Sequence, residues 1–202
     1  MSHFFEATKT NKERREKPDL LLHICCAPCA THTIEHLREN FTVTGFFFNP
    51  NIQPEAEFKR RLEEAKRLAA LMDFPLICLA ESQDAWSESI KGYEDEPEGG
   101  QRCSICYTFR LDKAAQYAKA KGFGWFATTL TISPHKKASV INDIGSKLSH
   151  SYGIKFYSAD FKKKDGFKKS CELSKKYELY RQSYCGCLFS LQNRGKGKFS
   201  RS

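Results

Sequence analysis

A chain of 202 residues with 40% hydrophobic and 13% aromatic side chains can bury one sizeable core, which excludes a disordered protein. It has no run of about 18 or more apolar residues, which excludes a membrane-spanning helix, and the charged stretch through Lys17 lacks the apolar core of a signal peptide. A cytoplasmic protein without a membrane partner is expected. The net charge of +9 is concentrated late, with 12 Lys and Arg against 4 Asp and Glu from Asp160 to Ser202.

Residues 1–18 read as a polar arm. Asp19–Cys25 is a short apolar run bounded by polar sequence and suits a buried strand, with Ala30–Glu39 following as a helix. Phe41–Asn49 is rich in β-branched and aromatic residues and predicts a second strand, stopped by the loop containing Pro50 and Pro54. Over Glu55–Met72, the residues Phe58, Leu62, Ala65, Ala69 and Met72 recur at helical spacing and give one apolar face. Pro75–Leu79 predicts a third strand. Asp84 is placed to cap a helix through Ile90, and a glycine-rich acidic loop, Gly92–Gly100, leads to a helix over Ser104–Lys121 with Ile105, Phe109 and Ala118 inward. Trp125–Leu130 predicts a fourth strand, Ser133-Pro134-His135 opens a helix to Tyr152, and Ile154–Tyr157 is a short fifth strand. The remainder reads as helical. Strands alternating with helices predict an α/β domain, a parallel sheet with helices on both faces, over residues 19–190, followed by a basic tail over 191–202. Ligands of such sheets sit beyond the carboxyl ends of the strands, where segments distant in sequence meet.

Seven of the nine cysteines fall into three groups: Cys25, Cys26 and Cys29; Cys103 and Cys106; Cys185 and Cys187. In a reducing compartment, such clusters are metal ligands or redox partners rather than structural disulfides. One tetrahedral ion or one cubane cluster takes at most four thiolates. Seven are too many for one centre and one short of two all-cysteine centres, so two centres with one open coordination position are expected. The adjacent Cys25 and Cys26 suggest service to two neighbouring centres, since neighbours in sequence do not easily chelate one small ion. Gly186 lets the sulfurs of Cys185 and Cys187 face one side. Cys103 and Cys106 open a helix, whose dipole favours thiolates. Cys78 and Cys171, without cysteine neighbours, read as buried packing residues.

His23 in the first strand reads as a core histidine with a satisfied ring, and His32 with His36 as a surface pair. His135 suits phosphate contact or a turn role about equally. No nucleotide-binding glycine motif occurs. The basic C-terminal fifth, with Lys162, Lys163, Lys164, Lys168 and Lys169, reads either as a solvated face or as a phosphate-tracking surface, and its proximity to Cys185 favours the second. The hydroxyls of Thr128–Ser133, with Lys136 and Lys137, form a further candidate phosphate contact.

Five segments in one order resemble the QueH-type epoxyqueuosine reductases: Leu22–Cys29, Phe48–Pro54, Glu96–Cys106, Thr128–Lys136 and Tyr180–Cys187. The likeness spans residues 20 to 190. Gln53 departs from the pattern, where histidine is more usual. The resemblance implies a fold like the adenine-nucleotide α-hydrolases (HUP-like), with cysteines in place of the phosphate loop and a helical C-terminal part. It implies reduction of the epoxide of epoxyqueuosine at the tRNA wobble position to give queuosine, the last step of queuosine biosynthesis. The implied cofactors are a [4Fe–4S] cluster and a single metal ion, iron or zinc, without cobalamin. The implied partners are the anticodon arm of tRNA and an external electron donor. On that basis the cluster is expected to pass electrons and the single ion to act as Lewis acid on the epoxide oxygen. The seven clustered cysteines are the expected ligands, with Cys25, Cys26 and Cys29 at the reacting centre. Tyr184 or Arg181 is expected to stack on or bind the extruded base, and Lys136, Lys137, Lys162, Lys163, Lys164, Lys168 and Lys169 to hold the tRNA. Two rivals are a zinc-stabilised tRNA-binding protein without catalysis and an ATP-dependent tRNA-thiolating enzyme. The missing phosphate loop speaks against the latter.

Overall fold

The computed structural model describes residues 17–79 and 83–193. The residues of the polar arm before Lys17 and the tail cations Arg194, Lys196, Lys198 and Arg201 lie outside these. Five parallel strands form one sheet in the order β3-β2-β1-β4-β5: β1 (Asp19–His23), β2 (Thr42–Phe47), β3 (Leu76–Cys78), β4 (Trp125–Thr128) and β5 (Lys155–Phe156). The helices are α1 (Ala27–Arg38), α2 (Glu55–Leu71), α3 (Gln83–Ser89), α4 (Gln101–Ala120), α5 (Ala138–Tyr152), α6 (Gly166–Lys176) and α7 (Leu188–Asn193).

The central strand shows why the sheet is covered on both faces. Leu20, Leu21 and Leu22 are all fully buried. Successive side chains point to opposite faces, so this requires an apolar layer on each side. Leu20 and Leu22 pack with Ile34, Leu37, Leu68 and Phe161 on one face. Leu21 packs with Phe46, Leu111, Phe126 and Ile141 on the other. Each such leucine contributes about 1.5–3 kcal/mol relative to an exposed one.

The first three strands run outward in one direction, and the chain then crosses to place β4 on the other side of β1. This reversal opens a crevice at the carboxyl ends of β1 and β4. The segments that leave those ends are Ile24–Cys26 and a 3-10 turn over Thr129–Ile132. The expected α/β architecture with helices on both faces is therefore present.

Several local expectations are corrected. The first strand stops at His23, short of Cys25, and α1 already begins at Ala27. The fourth strand ends at Thr128, where the Thr128 hydroxyl accepts from the Leu130 amide and starts the 3-10 turn; α5 begins only at Ala138. The C-terminal part is not continuously helical, because residues 177–187 form an irregular stretch between α6 and α7. Helix α7 also runs to Asn193, past the boundary expected at 190. Cys78 is exposed rather than buried, because it lies on β3, a three-residue edge strand paired only with β2. His32 and His36 are half-buried rather than a surface pair. The His36 ring meets the Tyr157 hydroxyl at 3.1 Å and the edge of Phe161, from the segment that leads into α6.

Candidate metal centres and active-site cavity

The site is built where β1 gives way to α1. His23 is fully buried, and its ring nitrogens meet the Thr128 hydroxyl at 2.9 Å and the Phe48 carbonyl at 3.2 Å, tying the ends of three strands together. This is the satisfied core histidine expected. Burial, followed by the nearby Arg110 guanidinium, lowers its pKa to about 4. The next turn is fixed by Asn49, which donates to the Ile24 carbonyl at 2.9 Å, and by Thr129, whose hydroxyl oxygen accepts from the Cys25 amide at 3.1 Å.

Cys26 is the N-cap of α1 in an extended conformation, and Cys29 is the third helical residue. This geometry gathers all three sulfurs to within 4.8 Å of one another, with Cys25 and Cys26 at 3.9 Å. The adjacent Cys25 and Cys26 therefore both present their sulfurs to one cluster with Cys29. The extended N-cap lets both side chains face the helix start. The spacing fits metal: sulfurs bound to a tetrahedral ion at about 2.3 Å stand about 3.8 Å apart. Three donors leave a fourth position. In the protein alone, hydrogen bonds from Cys26 and Cys29 hold the Cys25 thiol well below its usual range, while the same bonds push Cys26 up to about 12 and raise Cys29. Thr129 also donates to the Cys25 sulfur at 3.3 Å, and the Gln182 amide donates to the Cys26 sulfur at 2.8 Å.

The other four cysteines line a second, small cavity of about 20 Å³. Cys103 is the third residue of α4, where the Gly99 amide donates to its sulfur at 3.2 Å, and Cys106 is one turn on. Burial raises the thiols of Cys103 and Cys106 and pushes Cys187 up to about 11. Metal binding opposes this, because a coordinating thiol is deprotonated. Four thiolates are the complement of one ion or one cubane cluster. The segment carrying Cys185 and Cys187 is fastened by Arg61, which is buried and donates to the Tyr184 and Cys185 carbonyls at 3.2 and 3.0 Å while pairing with Glu57 at 2.7 Å. Gly186 has φ +134, and a Cβ there would meet Ile52, Arg61 and Asn51 at 3.1–3.2 Å. Its carbonyl accepts from the Gln53 amide at 2.8 Å, so the loop carrying Gln53 clamps this segment through its backbone.

Cys185 lines both this small cavity and a larger one of about 300 Å³, whose wall also carries Cys25 and Cys29. Tyr184 and Arg181 line the larger cavity too. The Tyr184 hydroxyl donates to the Gln53 carbonyl at 2.5 Å, and the Arg181 guanidinium lies 5.9 Å from the ring centroid of Phe167 on α6. Lys136 turns into this cavity instead of joining the surface lysines. Burial disfavours its charge, but the thiolates of Cys185 and Cys25 outweigh that and raise its pKa above the ordinary lysine value. Lys137, Lys163, Lys164, Lys168 and Lys169 are exposed, whereas Lys162 is half-buried and paired with Asp160 at 2.9 Å. Sequence reasoning missed Arg61, Arg110, Gln182 and Phe167. Gln182 lies inside the Tyr180–Cys187 segment; the other three carry no local signal.

The comparisons decide the family. The family model for epoxyqueuosine reductase QueH matches residues 20–193. The chain belongs to the epoxyqueuosine reductase QueH family. It is 37% identical to the epoxyqueuosine reductase QueH of Streptococcus pyogenes over 196 residues, covering 94% of this chain and 77% of that protein. It is 38% identical to the QueH of Thermotoga maritima over 178 residues, covering 87% and 91%. Among solved structures, the U34-tRNA thiolase NcsA of Methanococcus maripaludis, determined with its [4Fe–4S] cluster, superposes with a TM-score of 0.56 at 12% identity. That match covers 87% of this chain and 62% of the thiolase, and at this identity it speaks for the shared HUP-like fold alone. QueH membership favours the reductase over both rival readings. Among the described residues, no helix is long and apolar enough to cross a membrane.

Proposed function

We propose that this chain reduces the epoxide of epoxyqueuosine in tRNA to the cyclopentene of queuosine, in the cytoplasm. The observation that carries the reading is the shared wall: Cys185 belongs to the four-cysteine pocket and to the cavity that also holds Cys25 and Cys29. Electrons arriving at one thiolate group are thereby within one side chain of the substrate cavity. The reaction takes up two electrons and two protons and releases the epoxide oxygen as water.

The seven cysteines hold a [4Fe–4S] cluster and a single ion between them, and when bound these centres supply electron transfer and Lewis acidity. The protein's own groups do the rest. Thr129 and Gln182 orient the sulfurs of Cys25 and Cys26. Lys136 places a cation beside the thiolates, where negative charge develops on the leaving oxygen. Arg181 and Phe167 offer a cation and an aromatic face to the extruded base, as does Tyr184. The exposed lysines around α6 track the phosphates of the anticodon arm.

Anaerobic purification tests this directly. Brown protein with iron and sulfide, bleached by dithionite and converting epoxyqueuosine tRNA to queuosine tRNA, is the expected result. Colourless protein carrying only zinc after anaerobic reconstitution, with no turnover, overturns it and returns the zinc-stabilised binding protein. Cys106→Ser or Cys187→Ser is expected to abolish turnover with the fold kept, and full activity in either contradicts the assignment.

A further inference from the structure

Arg110 is a buried charge that the reading above does not use. It is 2% exposed, on α4 one turn after Cys106, and it lines the larger cavity. Its Nε donates to the Cys106 carbonyl at 3.2 Å and its Nη1 to the Asn49 side chain at 3.3 Å. Its Nη2 is buried without a hydrogen-bond partner. Among the described residues, no carboxylate stands within ion-pair distance of it.

A guanidinium stays charged in a protein, and a buried unpaired charge costs several kcal/mol. Something must compensate it, and the groups beside it that become anionic on binding metal are Cys25, Cys29 and Cys185 on the same cavity wall and Cys106 one helical turn before it. Cys106, Cys185 and Cys25 each favour its charged form, with Tyr107 after them, while burial opposes it. Arg110 shares the wall of the larger cavity with Cys25, Cys29 and Cys185 and is bonded to the carbonyl of Cys106, so it neighbours members of both cysteine groups.

We infer that Arg110 is a positioning residue for electron transfer: its fixed positive charge, beside members of both cysteine groups, raises the reduction potential of the iron–sulfur centre that these cysteines would hold. The inference rests on the proposed reductase reading. A positive charge in a low-dielectric site favours the state with one more electron, and second-shell charge and hydrogen bonds are among the levers that set such potentials. No bond is made or broken; an electron from dithionite, passed through viologen mediators, is the only thing added. The orphan Nη2 gives the charge a direction, since it is a donor held ready for a sulfur or for an acceptor in the cavity.

The test is an anaerobic potentiometric titration of the iron-loaded protein, followed by visible absorbance. Arg110→Met is expected to move the midpoint to more negative potential with iron content and circular dichroism retained. Arg110→Gln, which keeps a side-chain donor, gives the same downward shift should the methionine variant fail to fold. Arg110→Lys keeps the charge and is expected to shift less than either. Lys119→Met, which removes a charge from the exposed far end of the same helix, leaves the midpoint in place. A folded, iron-loaded Arg110→Met or Arg110→Gln protein with the wild-type midpoint overturns the inference while the reductase reading stands. A wild-type protein that holds no reducible iron overturns both.

Discussion

At the scale of single residues, two positions with no thiol decide whether the thiols meet. Gly186 combines φ +134 with close neighbours on three sides. Gly186→Ala is expected to cost about 1–3 kcal/mol through backbone strain alone. It should also lower metal content, because it displaces Cys185 and Cys187 together; thermal unfolding with metal analysis reads both effects. Arg61 supplies a rigid fork to two carbonyls and a carboxylate from a buried position. Arg61→Met leaves all three short of a donor and is expected to destabilise the protein by roughly 3–5 kcal/mol. Arg61→Lys should recover only part of this, since an ammonium cannot serve the same three acceptors in one plane. A lysine variant with wild-type stability and metal content would show that charge alone suffices. Gly186 was legible from its place between two cysteines, whereas Arg61 was not. The cysteines were, because their spacing is local, whereas Arg61 acts on carbonyls more than 120 residues away.

At the scale of elements, the strand–helix alternation was readable because it rests on local periodicity, and Ala65, Ala69 and Met72 are buried at the end of α2 as its apolar spacing placed them, whereas on α4 Ala118 is buried but Ile105 and Phe109 are only half-buried beside a core face carried by Cys106, Tyr107, Leu111, Ala114 and Ala115. The ends of elements were less readable. β4 was overextended because Thr129–Ile132 has strand-like composition, yet the Thr128 hydroxyl captures the Leu130 amide and turns the chain. That turn places Thr129 against Cys25. The docking of α6 on α1 makes a separate prediction. Ser170 donates to the Pro28 carbonyl at 2.7 Å, and a Cβ on Gly166 would stand 1.9 Å from the Phe161 carbonyl oxygen. Gly166→Ala is therefore expected to shift α6 and lower stability by about 1–3 kcal/mol or more. It should weaken turnover more than metal loading, since α6 brings Phe167 to the cavity and no clustered cysteine. Equal loss of both would place α6 in the metal site's support instead.

At the scale of the whole molecule, the convergence of the cysteine groups follows from sheet order. Because β4 lies beside β1 and not beside β3, the turn after β4 faces the turn after β1, and the cavity opens between them. The count of seven clustered cysteines suggested two centres, and the fold gathers three of them at the start of α1 and sets the other four around the small cavity. The inward turn of Lys136, which local sequence grouped with Lys137, also came from the fold. The remaining lysines carry a prediction about salt. Replacing Lys163, Lys168 and Lys169 by glutamine should weaken tRNA binding and reduce the slope of log affinity against log salt by about two. An unchanged slope would remove these three from the phosphate contacts.

The sheet is complete by Phe156, while two of the four cysteines around the small cavity come from residues 185 and 187. During synthesis the sheet can therefore form before Cys185 and Cys187 leave the ribosome. Cys25, Cys26 and Cys29 would then pass through a period as a ready-made metal trap without its neighbour. Order of assembly, and not affinity alone, would decide which metal each centre receives, and a cell that delays delivery until the chain is released would avoid filling the first site with the wrong one.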